Sequence, residues 1–515
     1  MRSGSGFSSL LAMGALLSMA PSSGCANGGS SADDGLGGNG VHSGTDGGGD
    51  GSCLTCGVGY TGGQACAPGL ECHVQCEEHG VTTTISGTVY DPAGKNPLYG
   101  VTVYVPQKPL EPLPKGVPTG ADACSCAALY KSGAVASTTT GVDGKFEIED
   151  APVGSKVPLV MQIGKWRRQV TIDVKGCRGN PQPDRSLSLP GFIAEGNTTD
   201  NMPDIAVSTG YADSLECLLT RIGLPVTEYV AGAGPGNGGH IHVFSGGDAD
   251  ADTSGVIGAP ESSTMEGAPP SHTNLWDSVE HMMPYDVTLL SCEGGETYDA
   301  KPQVLEQYLN AGGRAFASHY HYAWFTNPAQ SKQTYTPPAD WGDSLASWTV
   351  GSTPLLQSNG LINETLNADG RPFKKGALMA EWLTYNAALG TLGAPPGELP
   401  MIPPRYNAMV SPANKASQPW ITDDANGYTM YFSFDTPVNA PLGADGNPAY
   451  CGRAVFSDLH VGGETMPPDN APPPAGCTQA DLSPQEKALE FMLFDLSSCV
   501  IPDAVPPPEG GLPTQ

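Results

Sequence analysis

Positive charge is scarce in this sequence. Lys and Arg number 24 against 53 Asp and Glu, so the formal net charge is −29. Because such an acidic chain repels phosphate backbones, we expect no nucleic-acid partner. Charged residues of both signs make up only 15% of the chain, while Gly and Pro number 68 and 48. This composition is typical of a loop-rich exported protein rather than of a helical cytosolic enzyme.

Long apolar runs are scarce as well. The apolar segment over residues 7–20 is too short for an ordinary membrane-spanning helix, and no later segment is apolar for long enough. We expect residues 1–24 to be an export signal. Cys25 follows small residues, as at a bacterial lipoprotein cleavage site, although Ser22 stands where such sites usually have Leu. We therefore predict a lipid anchor on Cys25 as the protein's contact with a membrane, with ordinary cleavage nearby as the alternative.

Residues 25–52 contain almost no apolar side chain, and we expect them to form a flexible tether that buries no core. Residues 53–80 follow with five cysteines in a Gly-rich context: Cys53, Cys56, Cys66, Cys72 and Cys76. In an exported chain this pattern favours disulfides. Zinc is the alternative, because Cys53 and Cys56 have C-x2-C spacing and His73 lies beside Cys72.

The fourteen cysteines become thirteen if Cys25 is lipidated, which leaves one thiol free. Cys124, Cys126 and Cys177 bring the upstream cysteines to eight, which is enough for four bridges.

The remaining cysteines suggest two further bridges. Cys451 and Cys477 flank one loop, and Cys217 and Cys499 lie on or beside the first and last helices of the second half. These pairings would leave Cys292 as the free thiol. Connectivity cannot be deduced from sequence, so a different pattern stays open.

Residues 81–178 alternate apolar and polar side chains at a period of two. The stretches "TTTISGTVYDPAGKNPLYGVTVYVP" and "STTTGVDGKFEIEDAPVG" are typical of short strands joined by turns, which predicts a β-sandwich. They resemble the carboxypeptidase regulatory-like family in their GTVxDxxG opening and their TTxxDGxFxIxxxPxG pattern. The resemblance implies a non-catalytic accessory domain.

From residue 200 onward, apolar strands alternate with amphipathic helices. The strands are "PDIAVSTG", "GHIHVFSG", "DVTLLS" and "RAFAS", and this alternation favours a doubly wound parallel sheet. We assign residues 200–502 to this α/β domain, with a less regular insertion over residues 326–448. Ser483 and Glu486 predict a capping box at the start of a final helix. Residues 503–515 are expected to be a disordered tail.

Three motifs occur in this α/β domain in a recognisable order: "YDVTLLSCEGG", "YLNAGGRAFASH" and "GRAVFSDLH". Their order resembles the class I glutamine amidotransferase-like superfamily and its trehalose-utilisation-protein-like branch, which implies a flavodoxin-like fold. The whole chain is also similar to exported proteins of myxobacteria that share the "CEGG", "SHxH" and "SPQEKALEFMLFDLSSC" signatures.

The resemblance to amidotransferases stops at the catalytic residues. In that superfamily a nucleophilic cysteine follows the strand that matches "RAFAS", and His319 stands there instead. His460 matches the histidine that activates this cysteine, but Gly462 stands where its acidic partner belongs. Because an imidazole cannot replace the thiolate, we do not expect ordinary glutaminase chemistry.

The carboxyl ends of parallel strands are where α/β proteins gather their ligand sites. His319, His321 and His460 are expected there, and with Glu293 or Asp458 they could hold a zinc ion. No cofactor follows from the sequence beyond this possible zinc. The alternative is that these histidines only end core strands.

A second hypothesis for the same edge is a small polar ligand such as a carbohydrate. Besides the residues just named, Tyr322 and Trp324 carry rings suited to stacking on a sugar, although rings at the edge of a core are commoner.

Cys292 is the candidate nucleophile. It follows the strand "DVTLLS", and a free thiol at a helix start would have a lowered pKa. His319 or His460 could act as its base. A buried, inert cysteine is the alternative.

From these features we predict an exported, lipid-anchored protein of the outer membrane or cell surface, or a periplasmic one without the lipid, that binds a small polar ligand without catalysis. The alternatives are an amidase-like hydrolase that uses Cys292 with a histidine and a metal hydrolase that uses the histidines. Asp248, Asp250 and Asp252 alternate as in calcium loops, but the Gly and Glu of such loops are missing.

Overall fold

The computed structural model describes residues 66, 69–210, 212–232, 234, 238–247, 264–297, 299–326, 336–349, 357–443, 446–460, 474–477 and 480–505. The chain divides into two units, Met1–Gly59 and Tyr60–Gln515, and all the described residues belong to the second. The export signal, the anchor at Cys25, the tether and the Asp248 loop were predicted in residues that lie outside this description. Within it, no helix is long and apolar enough to cross a membrane.

The described chain is multidomain and strand-rich. Its first region consists of two four-stranded sheets built from β1 (Thr84–Tyr90), β2 (Thr102–Pro106), β3 (Ala134–Thr139), β4 (Lys145–Ile148), β5 (Gly154–Ile163), β6 (Trp166–Val174), β7 (Gly179–Pro181) and β8 (Leu187–Ser188). One sheet has the order β4-β1-β7, with β8 also paired to β1, and the other has the order β3-β2-β5-β6.

Both sheets supply side chains to one core, as in a β-sandwich. Ile85 and Phe146 come from the first sheet, and Val103 and Leu159 from the second. The period-two pattern of the sequence produces this arrangement, because successive side chains of a strand point to opposite faces.

The second region is organised by a ten-stranded sheet. Its strands are β9 (Ile205–Thr209), β10 (Tyr229–Ala231), β11 (Ile241–Ser245), β12 (Val287–Leu290), β13 (Arg314–Ser318), β15 (Ser358–Ile362), β16 (Leu399–Met401), β18 (Ser417–Asp423), β19 (Thr429–Thr436) and β20 (Gly452–Ser457). The order is β10-β11-β9-β12-β13-β20-β19-β18-β15-β16. A separate two-stranded sheet pairs β14 (Ser347–Trp348) with β17 (Ala408–Met409).

The large sheet is mixed, not parallel throughout. Neighbours from β10 to β20 pair in parallel, whereas those from β20 to β16 pair antiparallel. The antiparallel half, apart from β20, comes from residues 326–448, where we expected one strand, one helix and irregular loops. Pro and Gly in this segment obscure the strands: Gly360 lies within β15, and Pro400 lies within β16, the strand at the edge of the sheet, where Pro is tolerated.

Seven helices are described: α1 (Leu215–Arg221), α2 (Ser271–Asn274), α3 (Val279–Met282), α4 (Pro302–Asn310), α5 (Tyr322–Phe325), α6 (Lys374–Tyr385) and α7 (Pro484–Ser497). The predicted capping box of α7 is confirmed. The Ser483 hydroxyl accepts the Glu486 N–H, and the Glu486 carboxylate accepts the Ser483 N–H. This pair satisfies two backbone donors at the helix start.

Helix α7 joins the two regions, which share one core. Trp166 of β6 packs on Phe494, with ring centroids 5.7 Å apart, and Tyr99 stacks on Phe491 at 5.9 Å. Trp382 of α6 donates its indole N–H to the Pro97 carbonyl. The first region therefore packs directly against the mixed-sheet region.

The disulfides also join the two regions, and they correct the predicted pairing. The bonds are Cys66–Cys72, Cys76–Cys177, Cys124–Cys451, Cys126–Cys499 and Cys217–Cys477. The predicted pairs Cys451–Cys477 and Cys217–Cys499 were wrong, because the insert that carries Cys124 and Cys126 crosses to the second region. Cys72 and Cys76 are bridged, which excludes them as zinc ligands. Five disulfides indicate an oxidising compartment.

Candidate functional site

Three neighbouring strands, β12, β13 and β20, end at the same edge of the sheet. Cys292 lies two residues beyond β12, His319 directly follows β13, and His460 lies three residues beyond β20. Parallel neighbours end together, so these three side chains meet. One donor atom from each lies within 4.8 Å of the others, and all three residues are buried. They are the residues we predicted as catalytic.

His319 occupies a sharp turn. Its φ is +45°, in the left-handed region that non-glycine residues rarely adopt. The chain leaves β13 there and enters a 3-10 turn over His319–His321. This geometry aims the imidazole at the neighbouring strand end, where Nδ1 lies 3.2 Å from the Cys292 sulfur. The ring centroids of His319 and His460 are 5.1 Å apart.

Cys292 is the free cysteine of the described chain, as predicted, but its sulfur is not activated. Burial raises the pKa of the thiol to about 12, although the backbone N–H groups of Tyr320 and Gly294 oppose this shift. The expectation of a lowered pKa was therefore wrong. No formed helix begins at Cys292, and the surrounding protein excludes water from the sulfur.

The two imidazoles are neutral at ordinary pH. Burial and the neighbouring charge of Arg405 lower the pKa of His460 to about 3. Burial lowers the pKa of His319 well below its usual range, and His460 and Arg405 lower it further. Neutral imidazoles keep the lone pair that a metal requires.

His321 does not join this cluster. The chain turns at His319, so His319 and His321 do not alternate on one continuing strand. Nδ1 of His321 donates to the Ser318 carbonyl at 3.0 Å, and Nε2 faces Glu293 at 3.9 Å. The predicted metal set of three histidines is thus replaced in space by Cys292 and two histidines.

Two buried carboxyl groups border the cluster. Burial raises the pKa of Glu293 to about 8 and that of Asp458 to about 7, the latter against the N–H groups of Asn407 and Ala408. Oδ2 of Asp458 accepts the N–H groups of Asn407 and Ala408. Oδ1 of Asp458 and both oxygens of Glu293 have no hydrogen-bond partner among the described residues.

Tyr322 and Trp324, predicted to stack on a sugar, are completely buried in the core. The Tyr322 hydroxyl donates to Glu296, and the Trp324 indole donates to Thr297. Neither ring presents an exposed face to a carbohydrate.

His240 and His242 lie at the amino end of β11, away from this edge. Nδ1 of His240 is 2.6 Å from Glu228, and Nε2 of His242 is 3.4 Å from Asp204. Each has its own carboxylate, which supports a structural role.

Arg405 is the residue near the cluster that sequence reasoning missed. It lies in the loop "MIPPRYNAMV", which shows no periodicity and no known motif. Its backbone N–H donates to the Asp458 carbonyl at 2.9 Å, which places it beside the end of β20. No sequence signal could have shown this contact between distant segments.

Comparison with known proteins assigns no family. No family model and no curated protein matches the chain. Two matching structures are chains of mutant type II cohesin–X-dockerin complexes from Acetivibrio cellulolyticus, one altered at the C-terminal and the other at the N-terminal interface. They are 18% and 17% identical and cover 26% and 31% of this chain, and 78% and 88% of their own. With TM-scores of 0.14 and 0.15, they carry no argument about fold or function.

Proposed function

We propose that this chain is an exported metal-binding protein that holds one zinc ion between Cys292, His319 and His460. The observation that carries this proposal is the convergence of one buried thiol and two buried, neutral imidazoles from three strand ends. Thiolate and imidazole together are preferred zinc ligands.

The spacing of the donors suits zinc. A tetrahedral ion with bonds of about 2.3 Å to sulfur and about 2.0 Å to nitrogen places its ligand atoms roughly 3.3–3.5 Å apart. The Cys292–His319 separation of 3.2 Å is close to this value, and the full group spans at most 4.8 Å. A side-chain movement of roughly 1 Å would complete the geometry.

The hydrogen-bond pattern also supports a ligand-binding role for these residues. Nε2 of His460 has no hydrogen-bond partner among the described residues, although the residue is only 3% exposed. Buried polar atoms without partners are costly and are usually explained by a ligand. Three protein ligands also leave a fourth position on zinc open, as in binding and catalytic sites.

The predictions about architecture and location belong to the same proposal. The order β11-β9-β12-β13-β20 supports a flavodoxin-like, amidotransferase-like core, to which β10 and the antiparallel strands are added. The two-sheet first region supports a carboxypeptidase regulatory-like accessory domain. The disulfides support export, and lipidation at Cys25 would place the protein at the envelope surface.

A thiol hydrolase is less well supported. Cys292 is completely buried, and its raised pKa keeps it protonated at neutral pH. A metal removes this obstacle, because it displaces the thiol proton on binding.

Elemental analysis tests the proposal. The protein is purified from its export compartment without a metal-affinity tag, alongside Cys292→Ser. We expect one zinc per chain in the wild type and much less in the variant. Equal zinc content in both, or none in either, would rule out this site.

A further inference from the structure

Two disulfides, Cys124–Cys451 and Cys126–Cys499, join the insert between β2 and β3 to the second region, and we call them the cross-region bridges. Cys124 and Cys126 are exposed, whereas the other disulfide-bonded cysteines of the described chain are half-buried or buried. Exposed disulfides are the ones that small thiols reach and that take regulatory or catalytic roles.

A partly open cavity of about 100 Å³ lies beside the cross-region bridges. All four bridge cysteines line it, and so does Ser125, which lies between the two cysteines of the insert. The other three disulfides do not line this cavity. A small molecule that enters it is therefore placed next to two S–S bonds at once.

The charged residues that line the cavity are Lys165, Asp286 and Arg314. Lys165 and Asp286 form an ion pair, so the three residues together carry one positive charge in a chain whose formal net charge is −29. Nη1 of Arg314 donates to the Cys451 carbonyl at 2.9 Å, which fixes the guanidinium beside one bridge. A nearby cation attracts an anionic molecule and stabilises a thiolate.

The segment over residues 120–126 is attached mainly by its sulfurs. No backbone hydrogen bond among the described residues joins it to the second region, and the two that it forms are internal. The flanking positions are fixed separately: the Val117 N–H donates to the Met283 carbonyl at 2.8 Å, and the Gln162 amide donates to the Leu129 carbonyl at 3.1 Å. Opening the bridges would therefore free this segment alone and leave the rest of the fold in place.

We propose that the cross-region bridges form a thiol–disulfide exchange site whose substrate is a small thiol that carries a carboxylate. The substrate carboxylate pairs with Arg314, and the substrate thiolate bonds to the bridge sulfur on the insert. The S–S bond breaks, and the sulfur on the second region leaves as a thiolate that takes up a proton from water. The substrate thiol is oxidised and the leaving cysteine is reduced, so the exchange needs no other oxidant or reductant.

This exchange site does not depend on the proposed zinc site. The cavity is lined by Val287 and Arg314, the first residues of β12 and β13, whereas Cys292 and His319 follow the other ends of these strands. The two proposals can therefore fail separately.

A comparison of two thiols tests this inference. The full-length protein with its disulfides intact is exposed separately to mercaptopropionate, which is anionic, and to cysteamine, which is cationic, and the reaction is stopped with acid at short times. Peptide mass spectrometry with alkylation follows the opening of each bridge. Cys76–Cys177 is the internal reference, because division by its rate cancels the different intrinsic reactivities of the two thiols.

We expect the cross-region bridges to open before the reference bridge with mercaptopropionate, and the thiol to be found on Cys124 or Cys126. Their rate relative to the reference should be at least about threefold higher with mercaptopropionate than with cysteamine, because the cavity is positive. The buried bridge Cys217–Cys477 should stay closed.

Ser125 provides a matched pair of variants that leaves the bridges and Arg314 unchanged. Ser125→Asp adds one negative charge to the cavity wall and should abolish the preference for the anionic thiol. Ser125→Asn has nearly the same size without the charge and should keep the preference.

Three results would overturn the exchange site. The first is an equal relative rate with the two thiols in the wild type. The second is a reference bridge that opens before the cross-region bridges with mercaptopropionate. The third is the same preference in Ser125→Asp and Ser125→Asn, which would show that the charge of the cavity does not select the thiol.

Discussion

Two buried polar clusters lie at opposite ends of β20, and they differ in how completely they are paired. At the start of the strand, Arg453 binds Asp435 through two nitrogens, at 2.6 and 3.1 Å, and also contacts Asp495 and Asp503. Lys375 completes the group with a 2.7 Å contact to Asp495. The cluster beyond the other end, around Cys292 and His460, retains buried polar atoms that have no hydrogen-bond partner in the part of the chain that the structure describes.

The difference indicates different roles. The Arg453 cluster sets two cations against three carboxylates, and each of these groups contacts an opposite charge, which indicates a structural role. It also fixes residues that we expected in a disordered tail, since Asp503 is part of it. The cluster at the carboxyl ends brings metal-ligating atoms together and, among the described residues, forms no ion pair with a Lys or Arg side chain, which suits a bound metal ion.

Removal of the paired cation should have the largest effect. Arg453→Met leaves three buried carboxylates without their main partner, and we expect a loss of about 3–5 kcal/mol in the free energy of unfolding. Urea denaturation with the disulfides intact measures this loss. Arg371→Gln, which removes an exposed pair with Asp369, should cost less than about 1 kcal/mol. Similar losses in the two variants would contradict the structural role of the Arg453 cluster.

Zinc should stabilise the protein through the unpaired cluster. At a free zinc concentration about 100 times the Kd, we expect a gain of about 2.7 kcal/mol in the free energy of unfolding. His460→Ala should lose this gain, whereas Arg453→Met should keep it from its lower baseline. A gain of the same size in His460→Ala would place the zinc elsewhere.

In metal-free protein, Glu293 of one cluster and Asp495 of the other should respond to pH in opposite directions. Burial raises the pKa of Glu293 from 4.5 to about 8, so its contribution to stability is complete below pH 4.5 and is lost as the pH rises through 8. Burial also acts to raise the pKa of Asp495, but Lys375 and Arg453 outweigh it and lower that pKa. Its contribution is present above the ordinary value of 3.8 and is lost as the pH falls further.

Glu293→Gln tests the part of the pH dependence of stability that we assign to Glu293. With a chelator present, the variant should flatten the decline between pH 4.5 and 8 by up to about 1.4 kcal/mol per pH unit. Denaturant midpoints across this range measure the slope. An unchanged slope would show that Glu293 does not titrate as its burial implies.

The smallest effect is expected at His321, which lies beside the cluster but outside it. His321→Gln should change zinc affinity by less than about tenfold, the lower end of what outer partners of a metal contribute. His319→Gln should abolish tight binding. Competition with a chromophoric chelator compares the two. Equal losses of zinc affinity in the two variants would favour the set of three histidine ligands that the sequence suggested.

The sequence anticipated the local features of this protein well. The strand ends that carry Cys292, His319 and His460 follow from apolar runs that stop at polar residues, and the α7 capping box follows from Ser483 and Glu486. These features depend on near neighbours in the chain, so the pattern of the sequence contains them.

The features that the sequence did not reveal depend on distant contacts. The bridges from Cys124 and Cys126 span separations of 327 and 373 residues, and their partners could not be chosen from spacing. The cluster contains Cys292 rather than the expected His321 because the chain turns at His319. The loop that carries Arg405 lies near the site through its contact with Asp458. Chain reversal and packing, not local pattern, decide each of these.

The most direct test of the proposed zinc site is the near-ultraviolet spectrum of the Co²⁺-substituted protein. A thiolate bound to Co²⁺ gives a charge-transfer band that oxygen and nitrogen ligands do not give, and Cys292 is the free thiol of the described chain. We predict this band in the wild type at one Co²⁺ per chain and its loss in Cys292→Ser. A wild-type protein that binds Co²⁺ without the band, or a Cys292→Ser variant that retains it, would contradict the proposed site.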